Sequence, residues 1–347
     1  MASTPDVLER VSRTRGRVAA RKRVVTIALA LAALLAFCLS LSVGDFTISI
    51  LRVLPAVFGA GERGEVFVVQ SLRLPRALLS VLVGAAFGMS GAVFQSLARN
   101  PLASPDILGI TAGGSLTAVM GLTLLGLSGL PLSLAATAGA LITAGLIYTF
   151  AYRRGMSSYR LVLVGIGVGA VATALTQFFW TRAHAHDAAS VALWLSGSLN
   201  GRGWENIEPV VLMLLVLIPG TLALGKQLNV LELGDDSATA VGVPVQRARL
   251  VLLIAGVALA GAGIGAAGPV AFVAFVSAPV ARRLSRSPGP ALLPAALTGS
   301  VLVCVADLIG RTALSSSEVS VGVITGIAGA PYLLWLLATT NSSGQGD

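Results

Sequence analysis

Charge is what this sequence has least of. Only 11% of its 347 residues are Asp, Glu, Lys or Arg, where a soluble domain carries about 25%, so a water-soluble globule is excluded. Cysteine is almost as scarce. Cys38 and Cys304 both sit inside apolar runs, which suits packing residues better than a disulfide or a metal pair. No Gly-x-x-x-x-Gly-Lys-Ser/Thr phosphate loop occurs, so nothing here reads as an ATPase domain. There is also no clustered His/Asp/Glu set of the kind an enzyme site needs. His184-Ala185-His186-Asp187 offers two imidazoles and one acid without a fourth ligand, a poor zinc site.

Apolar and small residues fill the space that charge leaves. The chain is 55% hydrophobic with 40 glycines and a mean hydropathy of +0.87. Small residues let membrane helices approach closely. With about 20 residues per crossing, the apolar stretches lay out as about ten spans: 24–43, 74–97, 105–127, 130–151, 160–181, 207–225, 249–267, 269–284, 291–312 and 321–338. Backbone groups in lipid must be bonded internally, and alternating barrel strands are absent, so an all-α bundle is predicted. Residues 1–23 then form a basic arm, 24–338 the membrane domain and 339–347 a short tail.

The basic residues give the orientation. With the first end inside, the inner segments hold the arm together with Arg99, Arg153, Arg154, Arg160, Lys226, Arg247, Arg249, Arg282, Arg283 and Arg286. Only Arg52, Arg63, Arg73, Arg76, Arg182, Arg202 and Arg311 fall outside. That bias predicts a multi-pass protein of the cytoplasmic membrane with both termini in the cytoplasm. It also accounts for the net charge of +9 without nucleic acid. The arm is an orientation signal first and an anionic-lipid contact second. A faint internal echo pairs Gly84–Gly91 with Gly256–Gly263, as duplicated helix sets in transporters do.

Two polar islands interrupt the apolar pattern. The first runs Gln95-Ser96-Leu97-Ala98-Arg99-Asn100-Pro101-Leu102-Ala103-Ser104-Pro105-Asp106. Its prolines bias the preceding residues away from helix, and Asp106 is placed to cap the next span. The second runs from Asn229 to Arg249. There Asp235 and Asp236 sit where a short helix wants N-capping and negative charge. Gly242 can close that helix and Pro244 stops its continuation. It reads either as an ordinary capped loop helix or as a rigid lever for a partner domain.

These strings, with Leu193-Trp194-Leu195-Ser196-Gly197-Ser198-Leu199-Asn200-Gly201-Arg202-Gly203-Trp204, resemble the permease subunit of the iron-chelate and cobalamin (FecCD-type) ABC importers, most of all its ferric-siderophore members. The resemblance implies a type II importer permease fold. It also implies two ATPase subunits holding ATP and Mg, a second permease that is identical or related, and an extracytoplasmic solute-binding protein; this chain itself has no cofactor. It makes Leu233, Gly234, Asp235, Asp236, Ala238 and Gly242 the ATPase-coupling residues. Arg73, Arg76 and Arg311 would meet acids of the binding protein, or else snorkel to headgroups. Ser157 and Ser158 would narrow the inner mouth, or else form a plain interfacial turn. Gln95 and Gln177 are candidate pathway-lining residues, and Asp307 is placed to pair with Arg311 four residues on. Where the family shows a histidine this chain has Val280, between Pro279 and Arg282. The expected function is ATP-driven import of a ferric siderophore. Import of cobalamin or haem by the same route, or ion-coupled secondary transport, are the alternatives.

Overall fold

The computed structural model describes residues 4–44, 47–151, 158–313 and 318–342. Among them the chain forms fifteen α-helices, a π-helical stretch and no strand. In order these are α1 (Thr4–Ser42), α2 (Ile50–Val57), α3 (Arg63–Phe67), the π-helical stretch Val68–Arg73, α4 (Leu74–Ala98), α5 (Ile110–Leu125) and α6 (Gly129–Ala151). Then come α7 (Ser158–Arg182), α8 (Ala185–Leu195), α9 (Trp204–Ala223), α10 (Gly225–Leu231), α11 (Asp235–Ala240), α12 (Val245–Ala267), α13 (Val273–Ser285), α14 (Leu292–Thr312) and α15 (Val321–Ser342). The predicted all-α bundle is therefore what the backbone adopts.

The span count differs from the sequence reading. Among the described residues seven helices are long and apolar enough to cross a bilayer: Gly16–Ser42, Arg63–Ala98, Gly129–Ala151, Arg160–Arg182, Trp204–Ala223, Val245–Ala267 and Leu292–Thr312. Two of the other three expected segments fall on shorter apolar helices, α5 and Val321–Leu336 of α15, and the third on the 13-residue α13. At 1.5 Å per residue the 16 residues of α5 reach about 24 Å, short of a hydrocarbon core of about 30 Å. Turns inside the apolar stretches cause this shortening. Residues 99–109 delay α5, and Gly268 (φ 75°) with Pro269 breaks the backbone between α12 and α13.

α4 lies at the centre, packed by α12, α13 and α14. Its sequence explains why. A Cβ on Gly84 would stand 2.3 Å from the Gly299 carbonyl oxygen, one on Gly88 2.2 Å from that of Ala295, and one on Gly91 1.8 Å from that of Ala274. The backbones touch at these points, as small-residue membrane packing allows. The echoing segments also meet: Ser90 Oγ donates to the Gly256 carbonyl at 2.7 Å, and Gly263 packs on the Phe87 ring. A closer repeat appears at two helix ends. α4 stops at Arg99 (φ 50°) before Asn100-Pro101, and α13 stops at Arg286 (φ 46°) before Ser287-Pro288. The proline forbids helix in the residue before it, so each arginine takes the left-handed cap.

Candidate functional site

The Asn229–Arg249 island folds into α10, α11 and the start of α12. α11 is a single short helix between two glycines in left-handed backbone, Gly234 (φ 112°) and Gly242 (φ 84°). Gly234 is its N-cap, and Asp235 and Asp236 occupy its first turn without a side-chain cap bond. Asp235 thus differs from the predicted capping role, because its carboxylate is drawn to two arginines instead. Oδ1 accepts from Arg99 Nη2 at 2.7 Å and from Arg249 Nη2 at 2.8 Å. Arg99 caps α4 and Arg249 is the fifth residue of α12. A second tie lies beside it: Arg282 Nη2 of α13 donates to Glu232 Oε1 at 2.8 Å and to Ser96 Oγ of α4 at 2.5 Å. One ionic network therefore fastens α11 and the residues before it to α4, α12 and α13.

The outer surface of this lever is apolar. Leu233 is 71% exposed and Val241 74% exposed, whereas Ala238 is fully buried against the bundle. Val280, which stands where the resemblance leads one to expect a histidine, is half-buried in α13, while Arg282 keeps the ionic tie just described. Arg21 Nε also reaches this end, donating to the Leu284 carbonyl at 3.1 Å. Among the described residues, Arg21, Arg99, Arg249 and Arg282 of the predicted inner set thus gather at this end of the bundle, and each is bonded within the fold.

At the opposite end the three arginines expected to meet a partner's acids are turned inward. Arg73 is buried and its Nη1 donates to the carbonyls of Leu41 and Ser42 at 2.9 and 3.1 Å. Arg76 donates to Asp307 Oδ1 and Glu318 Oε2, each at 2.9 Å. Arg311 Nε stands 3.2 Å from Asp307 Oδ2, and its Nη2 donates to Ser40 Oγ at 2.6 Å. Asp307 has no exposed surface and binds both cations, since a buried carboxylate needs countercharge. The predicted Asp307–Arg311 pair is present, and the three arginines expected at a partner's acids each make bonds within this chain, with Arg73 the most buried.

The two glutamines part company. Gln95 is 2% exposed, and its Nε2 donates to the Phe275 carbonyl at 2.9 Å. It pins α4 to α13 instead of lining open space. Gln177 lines a cavity of about 370 Å³ together with Asp106, Thr111, Thr173, Thr176 and Trp180. Asp106, read as a helix cap, accepts from the Thr111 hydroxyl at 2.6 Å. Ser157 and the side chain of Ser158 lie outside the described residues, as do the side chains of His186 and Asp187.

Sequence reasoning missed Arg99, Glu232, Arg249 and Arg282 as working partners. Their basic members were weighed only for orientation, although a lone acid pair in a basic loop was the available signal.

The sequence pattern of the FecCD transport family matches residues 31–339. The chain is 40% identical over 316 residues to the iron(3+)-hydroxamate import system permease protein FhuG of Bacillus subtilis (strain 168), covering 88% of this chain and 94% of that protein. It is 36% identical over 320 residues to the ferric enterobactin transport system permease protein FepG of Escherichia coli (strain K12), covering 92% and 97%. A solved metal-chelate type ABC transporter in an inward-facing conformation superposes with a TM-score of 0.80, at 24% identity, over 91% of this chain and 99% of that one, and so shares its fold. With an all-helical apolar bundle, a short lever between glycines and a family match along nearly the whole chain, this protein belongs to the FecCD transport family and is a membrane permease of the ABC-importer kind.

Proposed function

We propose that the chain carries a ferric siderophore across the cytoplasmic membrane as one permease of an ATP-driven importer. The lever carries this reading: an exposed apolar Leu233 and Val241 flank α11, and Asp235 bolts that helix to the ends of α4 and α12. A separate ATPase gripping the apolar rim would push on Asp235 and Glu232, and the push would enter three membrane helices at once. Closely packed helices of this kind switch between packings more readily than they deform, which fits alternating access. The chain itself breaks no covalent bond. Two ATPases, a second permease and an extracytoplasmic binding protein complete the assembly, and the basic end faces the cytoplasm. Gln177 and the hydroxyls beside it form part of the route.

The cargo follows the relatives named above, whose own cargoes are an iron(3+)-hydroxamate and ferric enterobactin. Uptake of radiolabelled ferric hydroxamate in cells with and without this chain tests it, with cobalamin measured in parallel. Iron entry that depends on the chain, with cobalamin unchanged, is expected. Equal iron entry in both strains overturns the cargo, and loss of cobalamin entry alone replaces it.

A further inference from the structure

Between α13, α14 and α15 lies a groove of about 220 Å³, walled by Val276, Ala306, Ile309, Ala328 and Tyr332. Ala306 and Ile309 belong to a full-length span, so the groove sits at the depth of the lipid chains. It offers a ligand no polar hold. The Thr325 hydroxyl beside it already donates to the Gly322 carbonyl at 3.1 Å, and the Tyr332 hydroxyl is buried away from the open space. Walls of this kind accommodate hydrocarbon.

A cation stands farther along the same helix face. Val276 and Arg283 are seven residues apart in α13, which puts them on one side and about 10 Å apart along the axis. The Arg283 guanidinium carbon lies over the Trp335 ring, 4.3 Å from its centroid. The Trp335 ring is 5.7 Å from that of Tyr332 in the groove wall, and Tyr332 is 6.4 Å from Phe275. Stacked rings therefore connect groove and cation. Arg283 and Arg286 are both exposed, and among the described residues neither pairs with a carboxylate. Their neighbour Arg282 is committed to Glu232 and Ser96. Those bonds place Arg283 at the lever end, where α13 leaves the membrane. Trp335 is 48% exposed there, as tryptophans at a lipid–water boundary are. A merely snorkelling arginine needs neither the stack nor the groove.

We infer that an anionic phospholipid of the leaflet at the lever end binds here, its phosphate accepting from Arg283 and one acyl chain lying in the groove. Stacking occupies the face of a guanidinium and leaves its N–H edge to donate, in a fork that matches phosphate. A zwitterionic lipid brings its own ammonium, which competes with Arg283 for the same oxygens; an anionic one does not. Binding is read without uptake, so the outcome stands apart from the importer reading.

The test is quenching of Trp335 by brominated acyl chains, in full-length protein held in phosphatidylcholine nanodiscs. Subtracting the emission of Trp335→Phe isolates this residue. Dibrominated phosphatidylglycerol is expected to quench it about fivefold more strongly than dibrominated phosphatidylcholine at the same low mole fraction, the preference that one basic residue gives near a membrane surface. Arg283→Gln is expected to bring the two lipids to parity, and Arg283→Lys to keep part of the difference. Ala328→Phe, which fills the groove, is expected to reduce quenching by both. Equal quenching by the two lipids with Arg283 in place, or a preference that Arg283→Gln leaves intact, overturns the proposal. So does quenching that Ala328→Phe leaves unchanged. Protection of Trp335 from both lipids overturns it too, and assigns this face to a second copy of the chain. The comparison with Arg283 in place covers the case in which the Gln variant does not fold.

Discussion

Asp235 shows how one carboxylate can do more than its local sequence suggests. Its place in the first turn of α11 favours the helix dipole in any case, but Oδ1 also holds two guanidiniums of different helices at 2.7 and 2.8 Å. The partners are unequal. Arg99 is half-exposed, while Arg249 is almost wholly buried. Solvent screens the first pair, so the second sets the cost of losing the acid. Asp235→Ala is expected to lower stability by about 2 kcal/mol and to cut uptake by about tenfold, with Asp235→Glu recovering part of it. Thermal unfolding and iron uptake on the same preparations check this, and unchanged uptake in the Ala variant would remove the lever from the mechanism. Asp235 was legible as a capping acid; one partner, Arg249, stands in the same island, but the other, Arg99, is 136 residues away along the chain. Nothing in the spacing reveals such a triangle.

Among the elements, α4 is the one whose sequence most plainly dictates its position. Gly84, Gly88 and Gly91 share one face by helical spacing, and that face meets the backbones of α14 and α13. A side chain at Gly88 has nowhere to go, because the obstructing atom is the Ala295 carbonyl oxygen at 2.2 Å from its Cβ. Gly88→Leu is expected to cost about 3 kcal/mol and to abolish a single cooperative melt. Gly145→Ala in α6, where nothing stands within 4 Å, should be neutral or stabilising by up to about 1 kcal/mol. Circular dichroism melts in detergent separate the two. Equal melts would mean that the glycine contacts do not hold the bundle. The number of spans was less legible than their type. Hydropathy sees apolar length and is blind to a turn of left-handed glycine and proline inside it, as at Gly268-Pro269. The sequence reading placed a boundary there between 249–267 and 269–284, and the turn delays α13 to Val273; among the described residues seven helices meet the length and apolarity of a full crossing.

For the whole molecule, the ionic groups sort into two ends with different duties. The basic end couples Arg21, Arg99, Arg249 and Arg282 to the lever region and to helix termini. The other end locks Arg73, Arg76, Arg311 and Asp307 into the packing of α1, α4 and α14. If the ends face opposite compartments, single cysteines will report it once Cys38 and Cys304 are replaced by serine. Asn200→Cys is expected to react with a membrane-impermeant maleimide in intact cells, and Leu233→Cys only after permeabilisation. Labelling of both from outside, or the reverse pattern, would sink the orientation.

The sequence alone determined that this is a lipid-embedded helical bundle with a capped loop helix between two spans, because hydropathy, glycine content and turn residues act locally and are written in order along the chain. It also carried the family, through several separate strings of residues. Only the tertiary structure decided how the charges are partnered inside the fold: Arg73 donates to backbone carbonyls, and Arg76 and Arg311 share Asp307. The physical reason is that desolvation and pairing depend on what other helices bring to the same few ångströms, and in a bundle those neighbours come from more than two hundred residues away.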